Sequence, residues 1–286
     1  FILNCGGEIR KNQEVKQLDA KQKLVYTQEA CIAYDQLIWA ADQRILTEAH
    51  GLLLSPKCAA TCESVLSYSF ATTLNPAHIQ GKIPAHSFYT PATEGIGSLG
   101  PFPIDKPDLQ ISWLRSFFQR TTYEISIPAL RNPDLAKEGQ CAVLVSTIFD
   151  YTIEEEFVKN YGPDLFQAIF QEEIAYVLAK IDPKLQQEEL FSFISTPKFI
   201  EGKTGNWRGA ISGFAFGPQQ TSFSDTQQAI YTADEDIYVC GQWSFQPAGL
   251  PVSILTAKFC VDEILKRQKE ISHSRGDSFR SGNNFK

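Results

Sequence analysis

The spacing of apolar residues changes several times along this chain, and each change predicts a different element. Short alternating runs at residues 8–18, 23–27 and 30–34 predict antiparallel strands joined by polar turns. Leu37 to Ala41 is different: it is continuously apolar and ends at Asp42, the pattern of a strand buried on both faces. Residues 57–70, with Pro56 near their start, predict a helix, and the proline- and glycine-rich residues 76–108 predict a long excursion. Two strong strands are expected at 121–130, "TTYEISIPAL", and at 140–150, which carry "CAVLVSTIFD". Residues 152–181 have a helical period broken at Gly162-Pro163, with Phe157, Leu165, Ile169, Ile174, Val177 and Leu178 as core positions. Lys180 suits the dipole at the end of that helix, and Pro183 stops it. Short strands and loops follow over 190–225. A brief apolar strand, Ile237 to Cys240, then leads through Gly241 and Gly249 to Pro251 and a long amphipathic pattern. The polar tail from about 272 is expected to be disordered.

Together these elements predict a mixed chain of α/β and α+β character. Its 286 residues suffice for one large domain or two medium ones, and 43% hydrophobic with 21% charged residues is ordinary globular composition. A net charge of -7 argues against a nucleic-acid partner, which needs a basic face. No apolar run approaches the ~20 residues of a membrane span. Phe1 to Cys5 is too short, and lacks the basic residues, for a signal peptide.

The seven cysteines are scattered and several sit in apolar runs, the usage of reduced, mostly buried thiols in an intracellular protein. Cys58 and Cys62 lack further ligands at a recognisable spacing, so no metal site is expected. The chain contains no methionine. Either it begins inside a longer protein or methionines are missing from the sequence as written.

Residues 95–100, "GIGSLG", match the form of a dinucleotide-binding turn without its context. That turn follows a buried strand and opens a helix, whereas prolines crowd the residues after this one. A plain loop is expected.

The segments "GGEIRKNQEV", "LIWAAD", "YEISIPALRNPDLAKEGQCAVLVST", "TPKFIEGKTGNWRGAISGFAFGP" and "DIYVCGQWSFQPAGLPVSIL" occur in that order. In order and spacing the chain resembles, over roughly residues 5–268, the FAD-dependent oxidoreductases of the phytoene desaturase and carotenoid isomerase type, relatives of the amine oxidases. The resemblance implies the C-terminal part of an FAD/NAD(P)-binding flavoprotein fold, without its N-terminal βαβ unit. Residues 1–45 and 226–271 would be two segments of the flavin domain. Residues 46–225 would form a substrate-binding lobe of mixed or antiparallel sheet plus helices, and 272–286 the tail. Because the pyrophosphate-binding turn lies outside the chain, FAD binding by this chain alone is not expected.

The same resemblance implies cofactor-binding roles. Val15 would lie by the adenine end of FAD, and Ala41 and Asp42 in the turn passing the nucleotide. Gly241 and Gln242 would meet the ribityl and pyrophosphate groups, and Gly249, Leu250, Pro251 and Val252 form the helix entry facing the flavin ring. Glycine permits close approach, proline suits a first helical turn, and the helix dipole favours an anionic reduced ring. The plain alternative is a strand–loop–helix in which Ile254, Ala257, Val261 and Ile264 simply pack. Trp207, Trp243 and Phe245 are expected in the core rather than lining a substrate cavity. No catalytic residue is assigned, and His78, His86 and Glu94 have no identifiable partner. The implied activity is hydride transfer on a long apolar, polyene-like molecule. The alternatives are an amine- or retinoid-type flavin oxidoreductase, or a non-catalytic carrier of prenyl groups on the same scaffold. The expected setting is cytoplasmic, with peripheral membrane contact and oligomeric state left open.

Overall fold

The computed structural model describes residues 1–50, 60–186, 189–215, 227–245 and 249–281. The chain divides into two compact units of mixed α/β structure, one formed by Phe1–Cys62 with Ser212–Lys286, the other by Glu63–Ile211. The resemblance places these boundaries near residues 45 and 225.

The first unit begins with a three-stranded antiparallel sheet of β1 (Val15–Asp19), β2 (Leu24–Thr27) and β3 (Cys31–Ala33). β1 starts at Val15, so the expected first strand is shorter at its N-terminal end than the run 8–18. β4 (Leu37–Trp39) pairs in parallel with β10 (Ile237–Val239), Leu37 opposite Ile237 and Trp39 opposite Val239. This pair joins the two distant segments expected to share one body. One face carries Trp39, Ile237 and Val239 into a core with Leu18, Val25 and Leu46, the last from helix α1 (Gln43–His50). The opposite face carries Tyr238, which is fully buried, and Ile38, which is 39% exposed. The expectation that residues 37–41 are buried on both faces is therefore wrong: continuous hydrophobicity shows what a strand could bury, not what covers it.

The C-terminal helix, α6 (Leu250–Ser281), runs antiparallel along β10. Thr256 Oγ1 accepts the Gly241 N–H at 3.0 Å, Cys260 Sγ lies 3.4 Å from the Val239 carbonyl, and Arg267 donates to the Glu235 carbonyl at 2.6 Å. The helix extends to Ser281, correcting the disordered tail expected from 272 over residues 272–281; residues 282–286 lie outside the described residues. Ala257 and Ile264 pack as expected, but Ile254 and Val261 are 63% and 47% exposed, so that half of the anticipated packing stripe is uncovered.

The second unit is built on a five-stranded antiparallel sheet in the order β6-β7-β8-β5-β9. Its strands are β5 (Ser64–Thr72), β6 (His86–Tyr89), β7 (Tyr123–Ser126), β8 (Cys141–Phe149) and β9 (Glu189–Ser195). β5 overturns the helix expected at 57–70, of which residues 57–59 and Cys58 lie outside the described residues. The strand alternates Val65, Ser67 and Ser69 with buried Leu66, Tyr68 and Phe70, a period of two that burial on one face requires. The buried face packs against α2 (Pro107–Phe118), α3 (Tyr151–Tyr161) and α4 (Pro163–Ile181). α3 and α4 break at Gly162-Pro163 as expected. Leu165, however, is 37% exposed, and Phe166 and Phe170 take the core positions. α2 was not anticipated: Pro107 sits in its first turn, where a missing N–H costs nothing, so a proline-rich approach does not exclude a helix. A short helix, α5 (Pro197–Thr204), is capped by Thr196 Oγ1, which accepts the Phe199 N–H at 3.2 Å.

Glu154 of α3 is buried and accepts the Lys198 N–H at 2.9 Å, meeting another orphan donor at the start of α5. Burial raises its carboxyl above the usual range, an effect opposed by hydrogen bonds from Thr196 and the Lys198 amide. The folded state thus holds this proton more tightly than the unfolded chain does. Stability from this site is present in acid and is lost as pH climbs past the ordinary glutamate range of ~4.3 through the raised folded value. Glu154→Gln keeps an acceptor without a charge. Its melting temperature relative to the unmodified chain is expected to rise from acid to neutral pH, and thermal melts at both ends check the sign.

Candidate functional site

The two strands of the parallel pair have their carboxyl ends together, the end outside which open α/β sheets bind ligands. Of the nine residues proposed from sequence, eight are carried by segments leaving or entering this end. β4 runs out through Ala41, which is exposed, into Asp42, which is buried. β10 runs out through Cys240, whose N–H donates to the Trp39 carbonyl at 3.0 Å, into Gly241 and Gln242. A Cβ built on Gly241 would come no closer than 3.9 Å, to the Ala40 oxygen, which sets the two exit turns side by side. Because α6 runs antiparallel to β10, its first residues, Leu250, Pro251 and Val252, stand at the same end. Val15 lies elsewhere, in the three-stranded sheet, packed against the Trp39–Val239 core.

The backbone groups at this end are only partly free. The Gly241 N–H is taken by Thr256, and its carbonyl accepts from the Ser244 N–H at 3.2 Å and from Ser244 Oγ at 2.8 Å. Asp42 Oδ1 accepts the Arg44 N–H at 2.8 Å, and the Asp42 carbonyl accepts from Trp39 Nε1 at 3.0 Å and from the Ile45 N–H at 3.2 Å. The Asp42 side chain therefore caps α1, a structural role that its position immediately ahead of Gln43, the first helical residue, could have signalled. At α6, the Ser253 N–H makes the first bond of the helix, to the Gly249 carbonyl at 2.9 Å. Leu250 is 76% exposed and Pro251 is also exposed. The Leu250 and Val252 N–H groups precede that bond and have no partner within the helix. Gly249 has φ +139°, and its built Cβ meets nothing closer than Pro251 Cδ at 3.9 Å. Glycine is therefore required there by backbone conformation and not by a close neighbour.

Thr256 was missed from sequence. It is fully buried, and its Oγ1 also donates to the Val252 carbonyl at 2.9 Å, tying the start of α6 to the exit of β10. Its place between Ser253 and Cys260, on the helix face turned toward the strand, is the signal that could have found it. At the amino end of the pair, Lys23 contacts Asp236 at 2.5 Å and holds its carboxyl below the usual range, while Gln36 Nε2 donates to Asp236 at 2.6 Å.

In the second unit, the sheet face opposite α2, α3 and α4 carries exposed Phe88, Leu144, Ile148, Phe191 and Phe193 interleaved with Glu124, Ser67, Ser69 and Ser146, and the Phe193 ring meets Phe199 of α5 at 4.9 Å. His86 Nε2 lies 3.4 Å from Glu124. The "GIGSLG" segment contains a three-residue 3-10 turn, Ile96–Ser98, and no helix follows it directly. Trp243 and Phe245 are buried, and Trp207 is partly buried. Among the described residues no helix is long and apolar enough to cross a membrane, and no three His, Cys, Asp or Glu side chains cluster as metal ligands.

No protein-family model matches the chain, and no curated protein matches its sequence. Among solved structures it is similar to an oxidoreductase from Methanosarcina mazei, with 12% identity and a TM-score of 0.48 over 90% of this chain and 51% of that one. It is also similar to a protein from Pyrococcus furiosus, with 13% identity and a TM-score of 0.43 over 84% of this chain and 43% of that one. Reduced UDP-galactopyranose mutase gives 12% identity and a TM-score of 0.39 over 72% and 41% of the two chains. The chain spans about half or less of the length of these structures.

Proposed function

We propose that this chain supplies one part of an FAD-dependent oxidoreductase of the phytoene dehydrogenase-related type, acting on a long apolar substrate. The observation that carries the reading is the convergence of Ala41, Gly241 and the start of α6 at the carboxyl end of the β4–β10 pair. The residues present fit one edge of a flavin. The exposed N-terminus of α6 offers the Leu250 and Val252 N–H groups to an electron-rich ring edge, and the dipole favours negative charge there by ~0.3–1 kcal/mol. Exposed Ala41 and the glycine at Gly241 leave room beside them, and Val15 belongs to the strand proposed to meet the adenine end. These residues bind and orient. The cofactor, when bound, supplies hydride chemistry.

The described residues offer no glycine-rich turn between a buried strand and a helix to hold a pyrophosphate. Titration of the purified chain with FAD, followed by flavin fluorescence, is therefore expected to show no saturable binding at micromolar concentration. A polypeptide in which a βαβ unit with such a turn precedes Phe1 is expected to retain flavin. A flavin-free preparation of that longer polypeptide would sink the reading, and tight stoichiometric binding by the present chain would sink the proposed division of labour.

A further inference from the structure

Two cysteines far apart in sequence meet between β10 and α6. Cys240 follows β10 directly and is 6% exposed; Cys260, on the strand-facing side of α6, is fully buried. They share one small core with Ile230 and Tyr238. The Cys260 thiol donates to the carbonyl of Val239, the residue before Cys240, at 3.4 Å, and both sulfurs are buried in that cluster. The Gly241–Thr256 bond holds the two backbones together one helical turn away. Two thiols in such contact across separate elements are not accounted for by the flavin reading.

We propose that Cys240 and Cys260 form an oxidisable dithiol that hydrogen peroxide converts to a disulfide, closing a covalent loop around the candidate site. The loop runs from Cys240 to Cys260 and contains Gly241, Gln242 and the helix entry Gly249–Val252. Cys240 is the attacking sulfur: it is the more accessible of the two, whereas Cys260 is fully buried with its S–H on the Val239 carbonyl. The Cys240 sulfur attacks one peroxide oxygen. The O–O bond breaks, one water leaves, and Cys240 becomes a sulfenic acid. The Cys260 sulfur then attacks the Cys240 sulfur. The S–OH bond breaks, the departing hydroxide takes the Cys260 proton, and a second water leaves. The two sulfurs have together lost two electrons, and one peroxide has become two waters.

The test is non-reducing peptide mapping of the full chain before and after peroxide, with free thiols alkylated under denaturing conditions. The expected result is a new linked species joining the Cys240 and Cys260 peptides, lighter by two hydrogens, with loss of both residues from the alkylated pool and full recovery on adding dithiothreitol. Cys260→Ser is expected to stop the reaction at a Cys240 sulfenic acid that dimedone captures, and Cys240→Ser to leave Cys260 alkylatable. If Cys240 and Cys260 remain fully alkylated in the unmodified chain while exposed Cys5 and Cys31 are oxidised, the proposal is overturned. It is overturned equally if Cys240 pairs with one of those cysteines instead. Mapping of the unmodified chain decides the matter even where a serine variant folds poorly.

Discussion

Phe118→Ala is expected to destabilise the second unit by ~3–5 kcal/mol, the usual cost of emptying a phenylalanine site in a tight core. Phe118 is fully buried at the end of α2, where three elements meet. Its ring lies 6.0 Å from that of Phe149 on β8, nearly parallel, and 5.1 Å from that of Phe170 on α4. Phe117 reaches the same Phe149 edge-on at 5.3 Å. The neighbours cannot easily collapse into the hole. The Phe118 carbonyl is held by the buried Tyr123 hydroxyl at 2.6 Å, and the sheet below is fixed by its ladder. A loss of this size lowers the melting temperature of a unit this large by roughly 6–20 °C. Near-ultraviolet circular dichroism on heating measures it. Phe118→Leu, which refills most of the volume, should cost well under half as much. Equal losses for the two variants would show that the aromatic packing is not what holds α2 to the sheet.

That core was legible in the sequence only in part, and the reasons differ from element to element. β7 and β8 show through because each alternates cleanly against one covered face, and α3 and α4 because Gly162-Pro163 both breaks the period and restarts it. β5 carries an equally clear alternation, but the proline upstream favoured a helical reading. α2 was hidden by the prolines before it, although one of them starts it. The long extent of α6 could not be read from "SHSRGDSFRS", whose polar composition suits a solvated helix as well as a loose tail. The candidate site was visible only through resemblance. Which of its backbone groups are free depends on Thr256, Ser244 and the capping role of Asp42, and these are long-range or geometric facts that residue spacing does not encode. The Cys240–Cys260 contact is of the same kind. Each thiol reads as a buried apolar residue, and only the packing of α6 on β10 makes them a pair.

A glycine that no sequence pattern singled out is expected to control the loop at the candidate site. Gly213 has φ +79°, and a Cβ built on it would overlap the Gln242 carbonyl oxygen, with the Gln242 carbon at 2.9 Å and Trp243 Cα at 3.3 Å. The obstacle is backbone, so no side-chain rotation relieves it. The surrounding contacts are also committed. The Cys62 N–H donates to the Gly213 carbonyl at 2.9 Å, and Phe214 meets Trp243 edge to face at 4.9 Å. Gly213→Ala must therefore carry the ~1–3 kcal/mol of a non-glycine residue in left-handed space and also displace the Gln242–Trp243 backbone. Gly241→Ala provides the comparison within the same unit. Its φ is +89°, but its built Cβ meets only the Ala40 oxygen at 3.9 Å, so it carries the conformational cost alone. The expected order of stability is unmodified chain, then Gly241→Ala, then Gly213→Ala. Gly213→Ala should in addition shift tryptophan emission to the red as Trp243, 2% exposed in the intact loop, meets water. Urea unfolding curves and emission spectra of the two variants decide it. If Gly213→Ala is no less stable than Gly241→Ala and its emission is unchanged, the loop from Gly241 to Phe245 is not braced by Gly213, and the position of Gln242 at the carboxyl end of the parallel pair must be held by Thr256 and Ser244 alone.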